Sequence, residues 1–286
     1  MTWLRQARMI VFAAGLVALG VFVTVASATN SWGGYHWART TPQFTLKLGG
    51  NLSTNAWKFH LAQASQDWNS PPTGSTPLLT AVVAGQSNRN CSAVAGTTQV
   101  CNGRYGNNGW LGMATIYITG GVHITKGSAK MNDTYFNLST YNNPNERQHV
   151  VCQEIAHTFG LDHQSENGSS QDTCMDYFSN TGANAGSTLS TKPNQHDFDE
   201  LNIVYGHLDS TTTVASTTSS SAGAEVDDNN DDPNNWGLLV SQSANGRSST
   251  YERSNRDGSK TVTHVYWTIE AVANCGLCDH RYGGGR

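Results

Sequence analysis

The sequence predicts an α+β fold, a twisted mixed sheet carrying a few helices, on three observations. Apolar residues recur at helical spacing over 54–69, again over 143–159, and a third time over 194–208. Between the first two lie short runs rich in β-branched and aromatic residues, at 78–85, 110–119 and 122–130. Two ends are punctuated by residues that stop regular structure, Pro71-Pro72 and Gly120-Gly121.

Taken in order, Met1–Ala28 has the form of a secretory signal. Arg5 and Arg8 supply a positive start, Met9 to Val25 is apolar, and Ala26-Ser27-Ala28 is a small-residue cleavage site. Removing it moves the formal charge from -4 to -6, because two arginines and no acids leave. That balance carries no nucleic-acid footprint. After signal removal the chain is expected to be a secreted, extracellular monomer with no membrane segment. Export makes the six cysteines candidates for disulfides, with fifteen formal pairings. Cys91–Cys101 would close a Gly/Asn-rich loop, and Cys275-Gly-Leu-Cys278 reads as a local bridge.

The first helix, Thr54 to Asn69, gathers Trp57, Leu61, Ala64 and Trp68 on one stripe. Leu78–Gly85, Trp110–Thr119 and Val122–Lys130 follow as strands. The helix after them opens on Asn143-Pro144-Asn145-Glu146, an N-cap, an N1 proline and an N3 acid suited to a capping box. Val151, Ile155 and Phe159 form its buried stripe. Asn194 to Leu208 is expected as a last helix, capped by Asn194 with Asp197 at N3. A linker, 210–235, is rich in Ser, Thr, Asp and Asn and too poor in apolar residues to fold. Beyond it, 236–286 reads as a small C-terminal β appendage around an Asn245-Gly246 turn.

Chemistry concentrates on the middle helix. Gln153-Glu154-Ile155-Ala156-His157-Thr158-Phe159-Gly160-Leu161-Asp162-His163 has the pattern Q-E-x-x-H-x-x-G-x-x-H. Positions 153 and 157 lie one above the other on a helix face, so their ends can converge on one ion about 2.0–2.2 Å away. Glu154 flanks that face at the general-base position. Gly160 can take the left-handed conformation that ends the helix and brings His163 back as a third donor. Three protein ligands leave a fourth position open for water. Gln153 offers a carbonyl oxygen, a weaker zinc donor than imidazole. The expectation is therefore a Gln153/His157/His163 site of reduced affinity, or a two-histidine site completed by water. His149 lies about 12 Å along the axis from His157, too far to share its ion. Without a metal, the same residues would be a capped amphipathic helix with two surface histidines.

With Cys174-Met175-Asp176-Tyr177 downstream, the pattern resembles the metzincins, a clan of zinc peptidases, with Gln153 in place of their first histidine. The resemblance covers residues 150–180 in motif and 54–208 in element order. It implies a metzincin-like zincin fold over 29–209: sheet and helices, ligand helix, Met-turn and C-terminal helix. It also implies bound Zn, Met175 packed beneath the metal, and Tyr177 assisting the metal or the reacting oxyanion. A Cys152–Cys174 bond would pin the Met-turn to the ligand helix. By the same resemblance an edge strand, 110–119 or 122–130, pairs with an extended substrate. The stretch after His163, from Phe178 to Thr191, would wall the substrate pocket.

The expected function is thus a secreted zinc endopeptidase acting on protein or peptide substrates, with Glu154 as general base. The 25 or so residues between Ala28 and the first helix are too few for the folded inhibitory prosegment many metzincins carry, so the enzyme is expected to be competent on export or controlled by a separate inhibitor. Two other classes compete. One is a catalytically impaired relative that binds zinc and peptide; the other is an adhesin working through the segment from Trp236 onward.

Overall fold

The computed structural model describes residues 30–87, 90–165, 167–215, 231–276 and 278–282. The signal expected over 1–28 and the linker core 216–230 lie outside the described residues. Among the described residues, no helix is long and apolar enough to cross a membrane. Three disulfides are formed, Cys91–Cys101, Cys152–Cys174 and Cys275–Cys278. Such bonds are at home in an extracellular, oxidising setting.

The chain is a mixed α+β structure built on one large mixed sheet. In order come β1 (His36–Trp37), β2 (Phe44–Asn51), α1 (Asn55–Trp68), β3 (Leu78–Ala84), β4 (Thr97–Gly103), β5 (Trp110–Thr119) and β6 (His123–Asn132). Then follow α2 (Asp133–Phe136), α3 (Pro144–His157), α4 (Gln195–Val204), β7 (Leu238–Gln242), β8 (Ser248–Ser254), β9 (Lys260–Trp267) and α5 (Ile269–Asn274). The strands run β3-β2-β4-β6-β5-β9-β8-β7 across the sheet, with β1 pairing separately on β6. The β3, β2, β4 and β6 pairings are parallel, and those from β6 through β5, β9, β8 and β7 are antiparallel.

Local chemistry explains the helices. Thr54 caps α1 through its side chain, and the helix buries Trp57, Leu61, Ala64 and Trp68. In α3, Asn143 accepts from the Glu146 amide, as its sequence suggests. The Glu146 carboxylate does not return to the cap, however. It is fully buried and accepts from the Asn180 amide at 2.6 Å, tying the helix start to the loop after Tyr177. A complete capping box is found instead on α4, between Asn194 and Asp197. That helix stops at Val204 rather than running to Leu208, which frees His207 and Asp209 from helical geometry.

Three expectations about the sheet need correction. Strands β2 and β4 were not evident in the sequence, because threonine, glutamine and glycine supply much of their length. Neither β5 nor β6 is an edge strand. The β5 backbone is bonded to β6 on one side and to β9 on the other, so the edge expected to receive a peptide is filled by the chain's own C-terminal part. And 236–286 does not stand apart as an appendage. On β9, Val262 and Tyr266 belong to the same apolar core as Ile155, Phe159 and Leu161, while Val265 and Trp267 join Trp110, Met113, Trp236 and Tyr251 in a second cluster. Alternate residues of β9 thus face opposite sides of the sheet. Full burial of such side chains is worth about 1.5–3 kcal/mol each, ample reason for the segment to add to the sheet. Just before that segment, Asp231 near the end of the expected linker pairs with the buried Lys130 ammonium at 2.5 Å.

Candidate metal centre

The last turn of α3 presents Gln153, Glu154 and His157, all fully buried. The chain then turns at Gly160, whose φ of +96° suits glycine. A Cβ there would lie 1.9 Å from the Tyr35 carbonyl oxygen, so the close approach of the N-terminal segment demands glycine as well. This turn returns His163 towards His157, with ring centroids 4.6 Å apart.

The third imidazole comes from an unexpected place. His264 sits on β9 opposite Ala114 of β5, and its ring centroid is 3.9 Å from that of His157 and 4.9 Å from that of His163. Donor atoms of His157, His163 and His264 all lie within 4.8 Å of one another, so the group could hold a metal ion. The outer ring nitrogens explain the inner ones. His157 Nδ1 donates to the Leu161 carbonyl at 2.9 Å, and His163 Nδ1 lies 2.7 Å from the Tyr177 hydroxyl and 3.2 Å from Asp162 Oδ1. With Nδ1 so engaged, each Nε2 turns a lone pair inward. Those two Nε2 atoms, and both ring nitrogens of His264, are buried with no hydrogen-bond partner. Orphaned polar atoms are rare in folded proteins, and a shared cation would satisfy these together.

Electrostatics agree with neutral, ligating rings. Burial pushes the His157 pKa down to about 3, helped by the neighbouring His163. His264 is held well below its ordinary value by burial and then by His157 and His163. Burial alone would raise Asp162, but its hydrogen bond and charge interaction with His163 outweigh that and leave it low. It stays available as an acceptor for the His163 ring.

Glu154 lies beside this trio. Its Oε2 is 3.8 Å from His264 Nδ1, neither oxygen has a hydrogen-bond partner, and burial raises its pKa well above the usual carboxylate value. Room for it is made by Gly112 on β5, where a Cβ would come within 2.4 Å of Glu154 Oε1.

The other motif residues take supporting positions. Gln153 Nε2 donates to the carbonyls of Cys174 and Asp176, both at 3.0 Å, while its Oε1 is buried without a hydrogen bond. That oxygen is available as a further donor, but the imidazole trio closes without it. Met175 and Tyr177 are buried in the main core, and the Cys152–Cys174 bond ties the segment before them to α3. Tyr177 is engaged with His163 and with Ser248 of β8, and so braces a candidate ligand. His149 is kept apart by bonding at 3.2 Å to Asn180 Oδ1 and the Asp176 carbonyl.

His264 escaped the sequence reading because it lies beyond the linker. A signal was present, though: on the alternating strand 261–268, it shares a face with Val262 and Tyr266, an inward position for a polar ring. Trp32 also went unread; it stacks on His157 at 4.8 Å with planes 3° apart.

No family model matches this chain, and no curated protein matches it.

Proposed function

We propose that the chain is a metzincin-like, zinc-dependent endopeptidase whose metal is held by His157, His163 and His264. The observation that carries this is Glu154: a fully buried carboxyl with no hydrogen bond, directed at the imidazole trio. A metal holding only structure together has no use for an acid in that position. Three nitrogen donors suit zinc. When bound, the metal supplies Lewis acidity to the reacting water and to the peptide carbonyl. Glu154 would take a proton from the attacking water and return it to the leaving amine. Burial, which raises its proton affinity, suits it to both transfers. Asp162 and Tyr177 fix the His163 ring, and the Leu161 carbonyl fixes that of His157.

Substrate entry would involve Trp32. This side chain lines a surface groove with Tyr35, Asp162, Ser241 and Glu252 and also covers His157. Swinging it outward would open the groove onto the trio.

The purified full chain should carry zinc at the trio and cleave casein, with activity lost to a chelator and restored by zinc. Glu154→Gln should keep the metal and lose the cleavage. Stoichiometric zinc at the trio without turnover on any protein substrate would favour a second reading, a metal-binding relative without catalysis. One observation supports that alternative: Glu154, His157 and His264 have no exposure to solvent, and β9 occupies the strand edge a substrate would use.

A further inference from the structure

A second histidine cluster lies on another part of the molecule, where the N-terminal strand meets the segment after α4. His36 is on β1, in register with His123 of β6. His207 and Asp209 follow the early end of α4. Asp209 is locked to the segment after β1 by two bonds: its amide donates to the Arg39 carbonyl at 2.8 Å, and its Oδ2 accepts from the Arg39 amide at 2.9 Å. Its other oxygen, Oδ1, faces imidazole nitrogens. His123 Nε2 is 3.1 Å away, His36 Nε2 3.5 Å and His207 Nε2 3.8 Å. The His36 and His207 Nε2 atoms are themselves 3.2 Å apart.

We propose that His36, His207 and Asp209 form a second metal site, for a borderline dication such as zinc, separate from the buried trio. Three features carry it. First, the donor spacing is that of a ligand shell. Bonds of about 2.0–2.1 Å in a tetrahedral arrangement place neighbouring ligand atoms about 3.3–3.4 Å apart, and the three separations here run from 3.2 to 3.8 Å. Second, His36 is set in the ligating tautomer: its Nδ1 donates to the Gly34 carbonyl at 2.7 Å, leaving the Nε2 lone pair directed at the other two groups. Third, the donors come from segments far apart in sequence, yet the carboxylate is pinned by backbone bonds before any ion arrives. Two imidazoles and one carboxylate suit zinc, cobalt or nickel better than calcium or magnesium, which prefer all-oxygen shells. His207 is 54% exposed at its side chain, so the ion enters from solvent and keeps water at its remaining position. His123 acts as a positioning residue, orienting Asp209 through Oδ1.

An ion here would clamp β1 to the chain after α4. The same N-terminal segment carries Trp32 over His157. Occupancy of the outer site would therefore steady the cover of the inner one. The second site does not depend on the peptidase proposal.

The test uses the full chain without a histidine tag, stripped of metal and titrated with zinc, with bound metal counted by elemental analysis and affinity read by calorimetry. His207→Ala should lower the metal count by one relative to the unsubstituted chain and leave the equivalent removed by His264→Ala in place. Its side chain is half exposed, so the fold should survive the change. His207→Cys should restore the lost equivalent. His123→Ala should weaken the outer site about tenfold, the effect expected of an outer partner of a ligand. A metal count unchanged in His207→Ala and Asp209→Asn would overturn the proposal. So would a loss of thermal stability in both without any loss of metal.

Discussion

The two histidine clusters use similar donors, one enclosed and one open to solvent through His207, and the contrast bears on the different roles proposed for them. His157, His163 and His264 are sealed under Trp32 and between α3 and β9, with a buried carboxyl beside them. His36, His207 and Asp209 sit at the rim of the sheet, with His207 largely in water. In the sealed cluster the carboxylate stands beside the ligands, uncommitted, and burial raises its pKa. In the rim cluster the carboxylate is itself a donor. Burial alone would raise it, but the Arg39 amide and the neighbouring histidines bring it below its usual value. Under the two proposals, the first arrangement would hold a proton acceptor in reserve and the second would commit its acid to an ion.

The widest gap between them should appear in activity. Glu154→Gln is expected to lower peptide cleavage by about 10²–10⁴-fold or more, the typical worth of a general base, with zinc content unchanged. Comparable cleavage by this variant would remove the distinction altogether. Asp209→Asn should lower metal content at the rim and leave cleavage at saturating zinc within a few-fold of the starting level.

Next in size is the response of β9. His264→Ala should weaken zinc binding at the sealed cluster by at least about a hundredfold, since losing a ligand exceeds the 10–100-fold cost of losing an outer partner. If His264→Ala keeps full affinity and Gln153→Ala does not, the amide oxygen of Gln153 is the third ligand and His264 is an ordinary core histidine.

Gly112→Ala sharpens the comparison within the sealed cluster. The new methyl would stand 2.4 Å from Glu154 Oε1 and 2.7 Å from Val150 Cγ1, so it would displace the carboxyl and its α3 neighbour, with no candidate ligand among its three nearest atoms. A displacement of about 1 Å can cost on the order of 10²-fold in rate, so kcat should fall while metal content holds. Unaltered kcat would mean the position of Glu154 is immaterial.

The smallest effect is on stability against pH in the metal-free chain. The folded pKa of Glu154 is raised by burial, so the folded state binds its proton more tightly than the unfolded state does. Its contribution is present below about pH 4.5 and is lost as pH rises through the folded value. Metal-free Glu154→Gln should therefore melt a few degrees above the unsubstituted chain at pH 7.5 and close to it at pH 4. Equal melting at both pH values would show that the carboxyl is not desolvated. With zinc bound, the neighbouring dication favours the carboxylate, and the difference at pH 7.5 should shrink.

Much of the fold was legible because it is local. The caps at Thr54, Asn143 and Asn194, the stripe Trp57–Leu61–Ala64–Trp68, and the strands β3, β5 and β6 each advertise themselves within a dozen or so residues. The motif from Gln153 to His163 was legible for the same reason, since its donors are set by one helix and one glycine turn. Glu146 marks the limit of such logic: the right residue for a capping box, it was drawn away by a buried amide at Asn180.

By itself the sequence determined where helices begin, which faces are apolar, and that His157, His163 and Glu154 must be neighbours, because backbone geometry over a few residues leaves little choice. Only the tertiary structure decided that β9 would cover β5, that His264 would complete the trio, and that His36 would meet His207 and Asp209. Strand pairing and long-range closure depend on which surfaces bury best together. An alternating strand states which of its faces is apolar without naming the neighbour that will cover it.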